Sequence, residues 1–129
     1  MDCIWEVQVR NTESETPAQV EITPAMFHIL LALSAGERHG YGVMQEVEED
    51  TEGTVQLPPG TLYRTIKILL AEGWIERSRG PESATDDTRR RYYRITEVGR
   101  DVAVQHAMRL AKVVELARAR RLIPEPDLV

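Results

Sequence analysis

The densest apolar stretch of the chain follows Thr23-Pro24. Between Ala25 and Ala35 it carries Met26, Phe27, Ile29, Leu30, Leu31 and Leu33, interrupted only by His28 and Ser34. Threonine caps a helix and proline suits the first helical position, so a helix is predicted here, ended by Gly36. A helix apolar almost all round must be covered on most sides, by its own domain or by a second subunit. A second helix is predicted from His39-Gly40-Tyr41 to about Glu49, with Val43, Met44 and Val47 inward. Its outer face is acidic, and Gly53 stops it. Val55 and Leu57 suggest a very short strand before Pro58-Pro59-Gly60, and a third helix begins near Gly60. There Leu62, Ile66, Leu69 and Leu70 keep the spacing of one buried stripe, and Gly73 is the stop.

The pattern then changes period. Trp74 to Arg79 and Arg90 to Ile95, separated by a turn-rich span from Gly80 to Thr88, read as a two-stranded hairpin with a long loop. Tyr92 and Tyr93 are adjacent, so only one can point inward, and Tyr93 is expected in the core with Ile95. Thr96-Glu97 starts a last helix reaching about Leu122, before Pro124 and Pro126. Along it Ala103, Ala107, Leu110, Val114 and Ala117 recur at steps of four and three, the seam of a coiled-coil-like contact, with Val104, Met108 and Ala111 widening the stripe. At the front, Trp5, Val7 and Val9 alternate with polar residues like a strand, while Asn11 to Pro17 has no periodicity. This front segment reads as a mobile arm; the alternative is that the Trp5 face packs on the domain or on a partner.

Helix, helix, helix, hairpin is the order of a winged helix-turn-helix. The expected fold is mainly α with a small β-hairpin, followed by a C-terminal dimerisation helix. The boundaries are an extension over 1–22, a DNA-binding domain over 23–95, the dimerisation helix over 96–123 and a tail over 124–129. At 129 residues the chain is long enough for one core, and 42% apolar with 29% charged residues is ordinary for a globular protein. Cys3 is the single cysteine, which excludes an intrachain disulfide and suits a reducing compartment. No apolar run approaches the roughly 18 residues of a membrane span. The first residues lack the charged and apolar regions of a signal peptide, so a cytoplasmic location is expected.

The net charge of −5 argues at first against nucleic acid, but a DNA site needs only a local positive field. The signs are segregated. Acids dominate the first 22 residues and the block Glu46, Glu48, Glu49, Asp50, Glu52. Arg64, Lys67, Arg77, Arg79, Arg89, Arg90, Arg91 and Arg94 fall in one later stretch. In the third helix Thr61, Tyr63, Arg64 and Lys67 lie outward while the leucines and isoleucines face the core, as a helix entering the major groove requires. Arg64 can grip a guanine or a phosphate, and Lys67 a phosphate. Gly60 keeps no side chain between backbone and DNA, and the free amides there attract a phosphate oxygen. Arg89, Arg90 and Arg91 beside a flexible tip suit a minor groove or a backbone track. A basic cluster taken alone is more often a solvated face, and Arg91 or Arg94 could pair with nearby acids. The combination with helix order and an outward polar helix is what points to double-stranded DNA.

These residues also resemble the PadR-type transcriptional regulators. The matching strings are Thr23 to Gly36 (TPAMFHILLALSAG), His39 to Val47 (HGYGVMQEV), Pro59 to Leu69 (PGTLYRTIKIL), Glu72 to Glu76 (EGWIE) and Arg89 to Gly99 (RRRYYRITEVG). The resemblance implies a winged-helix domain and a dimerising C-terminal helix, and is nearest to the branch in which that helix is short and single. Such regulators are mostly repressors of detoxification, efflux or stress genes, some responding to small aromatic or drug-like ligands. By this resemblance Tyr41 and Tyr63 match tyrosines that touch the DNA backbone, Thr61 and Arg64 match recognition-helix positions, and Arg89 to Arg91 match the basic wing strand. The front extension and the long wing loop depart from the compact pattern.

A homodimer reading a palindrome follows, with the last helix as its interface and the partner's first helix covering Phe27 and Leu31. A cavity between subunits lined by Met26, Leu30, Met108 and Trp5 would admit a small hydrophobic or aromatic effector, though simple packing is the commoner use of such side chains. Catalysis is not expected. His28, His39 and His106 have no spacing with acids or Cys3 that suits a metal or a nucleophile–base pair, and no cofactor is implied. The competing class is a winged-helix protein-interaction module without DNA binding, which would show an acidic third helix; Arg64 and Lys67 speak against it.

Overall fold

The computed structural model describes residues 21–80 and 91–124. These form α1 (Pro24–Ser34), β1 (Arg38–His39), α2 (Gly40–Asp50), α3 (Pro59–Glu72), β2 (Ile75–Ser78), β3 (Tyr92–Ile95) and α4 (Glu97–Ala119). The alternation around Trp5 and the loop at the hairpin tip lie outside the described residues.

The Thr23 hydroxyl starts α1 by accepting the Met26 amide at 3.2 Å, while the Thr23 amide donates to Met26 Sδ at 3.5 Å. Ile29, Leu30 and Ala32 are then fully buried. Around them stand Val43 and Val47 of α2, Leu62, Ile66 and Leu69 of α3, and Ile75 and Tyr93 of the sheet. Most of α1 is therefore covered by its own domain. A sulfur at Met26 is a weak acceptor, so the proline and the threonine hydroxyl carry the cap.

The strand expected around Val55 and Leu57 does not form. The Thr51 hydroxyl donates to the Val47 carbonyl at 2.8 Å and accepts the Val55 amide at 3.0 Å. That amide is thereby taken from any ladder, and Leu57 is buried from a loop instead. Helix α3 follows on Pro58 and ends at Gly73, whose φ of 78° is the left-handed cap. Its inner side is Leu62, Thr65, Ile66 and Leu69, with Leu70 only partly covered. Buried Thr65 is satisfied because its hydroxyl donates to the Thr61 carbonyl at 2.7 Å.

The sheet has three antiparallel strands, in the order β1–β3–β2, where the sequence predicts two. The additional strand is only two residues long, pairing Arg38 with Tyr93 and His39 with Tyr92. Arg38 holds it in place, donating from Nε to the Ala32 carbonyl at 3.2 Å and pairing with Glu46 at 3.4 Å. On the other side Ile75 faces Ile95 and Arg77 faces Tyr93. Tyr93 is buried and Ile95 half-buried, as the alternation predicts.

Helix α4 is bolted to the α3–β2 turn. Thr96 caps it, accepting the Gly99 amide at 3.0 Å and donating its hydroxyl to the Gly73 carbonyl at 2.7 Å. The Thr96 amide also donates to the Trp74 carbonyl at 3.1 Å. Gly99 lies against that same carbonyl so closely that a Cβ would overlap its oxygen. Val102 and Ala103 pack on the core, and the His106 ring stands edge-on to Phe27 with centroids 4.7 Å apart. Beyond His106 the helix leaves the domain, and Leu110, Val113, Val114 and Leu116 are exposed. It ends at Ala119 rather than near Leu122, because Arg121 turns left-handed (φ 62°) and the Leu122 amide closes onto the Ala117 carbonyl at 2.8 Å.

Gly99→Ala should therefore lower stability by about 3 kcal/mol, since the obstacle is main chain and cannot swing aside. Urea unfolding checks it; an unchanged midpoint would contradict the docking described for α4.

Candidate nucleic-acid interface

Steps of four, three and four place Gly60, Arg64, Lys67 and Ala71 on one face of α3, opposite Leu62, Ile66 and Leu69. All four are exposed. No acid occurs in α3 before Glu72, and Arg64 and Lys67 have no ion pair among the described residues. The start of α3 has no side-chain cap, which leaves the amides of Gly60 and Thr61 without a side-chain acceptor. Thr61 itself is half-buried on one flank of this face, and Tyr63, 50% exposed, stands on the other.

Beside α3 lies an aromatic group at the start of α2. The His39 Nδ1 accepts the Gly42 amide at 3.0 Å and so caps the helix, which accounts for a histidine there without any metal or catalytic role. Its ring stacks near-parallel with Tyr41 at 6.5 Å and meets Tyr92 edge-on at 5.4 Å. Tyr41 is 55% exposed. The wing root is thus tied to the helix-turn-helix through His39.

Along the wing, Arg77, Arg79 and Arg91 are exposed. Arg94 is engaged, pairing with Glu76 across the strands at 2.6 Å. Arg89 and Arg90 lie outside the described residues. The acids of α2 sit elsewhere: Glu46 holds Arg38, while Glu48, Glu49 and Asp50 are exposed. Tyr92 as a bridging residue was not legible beforehand, because its contact with His39 depends on the two-residue β1. Adjacency to Tyr93 indicated only that it would point to the other side of the sheet.

The residues expected at a subunit interface divide. Phe27, 8% exposed, is covered within its own chain by His106, and Ala103 packs on its own core. Leu31, Ala107, Leu110 and Val114 are exposed, and Ala117 is half-buried. Val104 and Ala111 flank this seam, and Met108 does not widen it. Met108 comes nine residues after Gly99, about two and a half turns on, and stands across the helix at 63% exposed. Of the residues expected to line an effector cavity, Met26 and Leu30 are enclosed in the core of their own chain, Met108 is exposed and Trp5 lies outside the described residues.

A recognition-type helix with a free cationic face, seated beside a three-stranded wing, defines a winged-helix protein. Comparison with known proteins agrees. The model of the transcriptional regulator PadR-like family matches residues 29–105. An uncharacterized protein of Lysinibacillus sphaericus is 32% identical over 88 residues, 68% of this chain and 79% of that one. A transcriptional regulator from Clostridium thermocellum superposes with a TM-score of 0.60 at 26% identity, covering 73% of this chain and 89% of its own. A PadR family transcription regulator from hypervirulent Clostridium difficile has a TM-score of 0.62 at 19% identity, covering 75% and 97%, and shares the fold. The chain belongs to the PadR-like family of transcriptional regulators. Among the described residues, no helix is long and apolar enough to cross a membrane.

The His39 cap can be tested by itself. His39→Ala should cost about 1 kcal/mol of stability, and His39→Asn, which restores a side-chain acceptor, should recover part of it. Thermal unfolding measures both; equal losses would deny the cap its role.

Proposed function

We propose that two copies of this chain bind a palindromic operator in the cytoplasm and repress the gene it controls. The observation that carries this reading is the outward face of α3: Gly60, Arg64 and Lys67 are exposed, neither cation has an ion pair among the described residues, and the opposite side is locked in the core. In this reading α3 enters the major groove. Arg64 reaches a base edge, Lys67 meets a phosphate, and Thr61 with the amide of Gly60 approaches the backbone. Tyr41 and Tyr63 contact the strand alongside, and Arg89, Arg90 and Arg91 follow the neighbouring groove. Such a complex placed over a promoter excludes the polymerase.

One α3 reads only a few base pairs, so a two-fold arrangement with half-sites about one turn apart supplies the specificity. The distal part of α4 suits that contact. Leu31, Ala107, Leu110, Val114 and Ala117 offer apolar surface, continuous with the side of α4 that already packs on the domain. Phe27 and Ala103 support it from beneath.

Arg64→Ala should weaken binding to a duplex selected from a randomised library and relax preference at one base pair, by about 1–3 kcal/mol of discrimination. A loss equal on all sequences would make Arg64 a phosphate contact. No shift by the unaltered chain on any duplex at low salt would end the DNA-binding reading. Leu110→Glu should yield monomers in sedimentation; an unchanged mass would remove α4 from the interface.

A further inference from the structure

Glycine weakens the first turn of a helix relative to alanine, yet α2 opens with two, Gly40 and Gly42. Backbone geometry demands neither, because the positive-φ glycines lie elsewhere, at Gly36, Gly53, Gly73 and Gly80. Their surroundings differ. A Cβ on Gly42 would meet His39 Cε1 at 3.4 Å, ordinary van der Waals contact. A Cβ on Gly40 would lie 2.5 Å from the Tyr63 hydroxyl oxygen, 2.8 Å from its Cε1 and 2.9 Å from its Cζ, which leaves no room for one. Gly40 is buried while Tyr63 is half exposed, so the end of the phenol ring rests on the bare α-carbon.

We propose that Gly40 is a positioning residue for DNA recognition, the seat that holds the Tyr63 hydroxyl at the first turn of α2, beside Tyr41. The inference rests on the DNA-binding reading above. Tyr63 springs from the flank of the cationic face of α3, and its hydroxyl is one of the groups offered to the DNA backbone. Seated on Gly40, the ring is ordered before DNA arrives, and binding need not immobilise it. The same contact braces the second helix of the helix-turn-helix against the third. A methyl group at position 40 displaces the far end of a side chain rather than any main chain. Gly40→Ala is therefore expected to keep the fold and lose the placement of the tyrosine.

The test is a double-mutant cycle on a duplex selected with the unaltered chain, read by fluorescence anisotropy at fixed salt, with thermal unfolding of every variant. Gly40→Ala should bind about tenfold more weakly, as should Tyr63→Ala, each losing one ordered contact. The pair Gly40→Ala/Tyr63→Ala should bind no more weakly than Tyr63→Ala alone, because the seat matters only through the ring. Gly42→Ala, which adds a methyl group to the same turn without an obstacle, should stay within about twofold of the unaltered chain. Should Gly40→Ala melt early, adding Tyr63→Ala must restore the melting temperature; failure to restore it overturns the inference. Unchanged binding by Gly40→Ala, or fully additive losses in the pair, overturns it as well. An unaltered chain that binds no duplex overturns the DNA-binding reading, and this inference with it. An unaltered chain that binds, with a Gly40→Ala variant that binds equally well, overturns the inference alone.

Discussion

Everything in this molecule is arranged around the burial of α1. Ile29, Leu30 and Leu33 occupy the centre, and α2, α3, the sheet and the first turns of α4 each surrender one apolar side to reach them. Each such side chain contributes about 1.5–3 kcal/mol when fully withdrawn from water, more than any polar contact on the surface. The constraint also decides orientation. Once Leu62, Ile66 and Leu69 are committed inward, helical geometry leaves Arg64 and Lys67 no direction but outward. The exposed cationic face of α3 is thus a by-product of how its other face packs.

Surface charge tells a compatible story. A net charge of −5 is distributed so that the acids of α2 and the cations of α3 occupy separate helices. Where opposite charges do meet, the work is local. Arg38 with Glu46 pins a two-residue strand, and Arg94 with Glu76 braces the wing. The Arg94–Glu76 pair is exposed and the Arg38–Glu46 pair half-buried; a solvent-exposed pair contributes at most about 1 kcal/mol, so the wing pair selects a geometry more than it stabilises it. Among the described residues, Arg64, Lys67 and Arg91 are left out of such pairs.

Much of this was legible from residue order. The apolar run after Thr23-Pro24, the stripe of α3, the hairpin and the inward Tyr93 all follow from periods of 3.6 and 2, which survive wherever one side of an element is buried. What escaped had no period to carry it. Strand β1 is too short to alternate, and it exists because Arg38 reaches Ala32 and Glu46. The segment at Val55 has the composition of a strand but loses its amide to the Thr51 hydroxyl. Thr65 is polar and yet buried, because its hydroxyl finds the Thr61 carbonyl one turn back. On α4, apolar residues occur on opposite sides, so a list of them overstates a single seam; angular position separates Met108 from Leu110. At the interface, exposure of the cationic face followed from the buried stripe, whereas the links of Tyr92 to His39 and of Tyr63 to Gly40 are tertiary and leave no trace in spacing.

The attachment of α4 to the Trp74 carbonyl, with no slack at Gly99, has a mechanical meaning. The joint lies where α3 ends and the wing begins, so α4 is a stiff lever rooted in the winged-helix head itself. In an assembly of two copies joined through the distal ends of these levers, a swing of about 10° acting over about 20 Å would move each head by about 3.5 Å, roughly one base-pair step. In such an assembly, a pivot without play would convert small adjustments between the copies into a change of phase along the double helix.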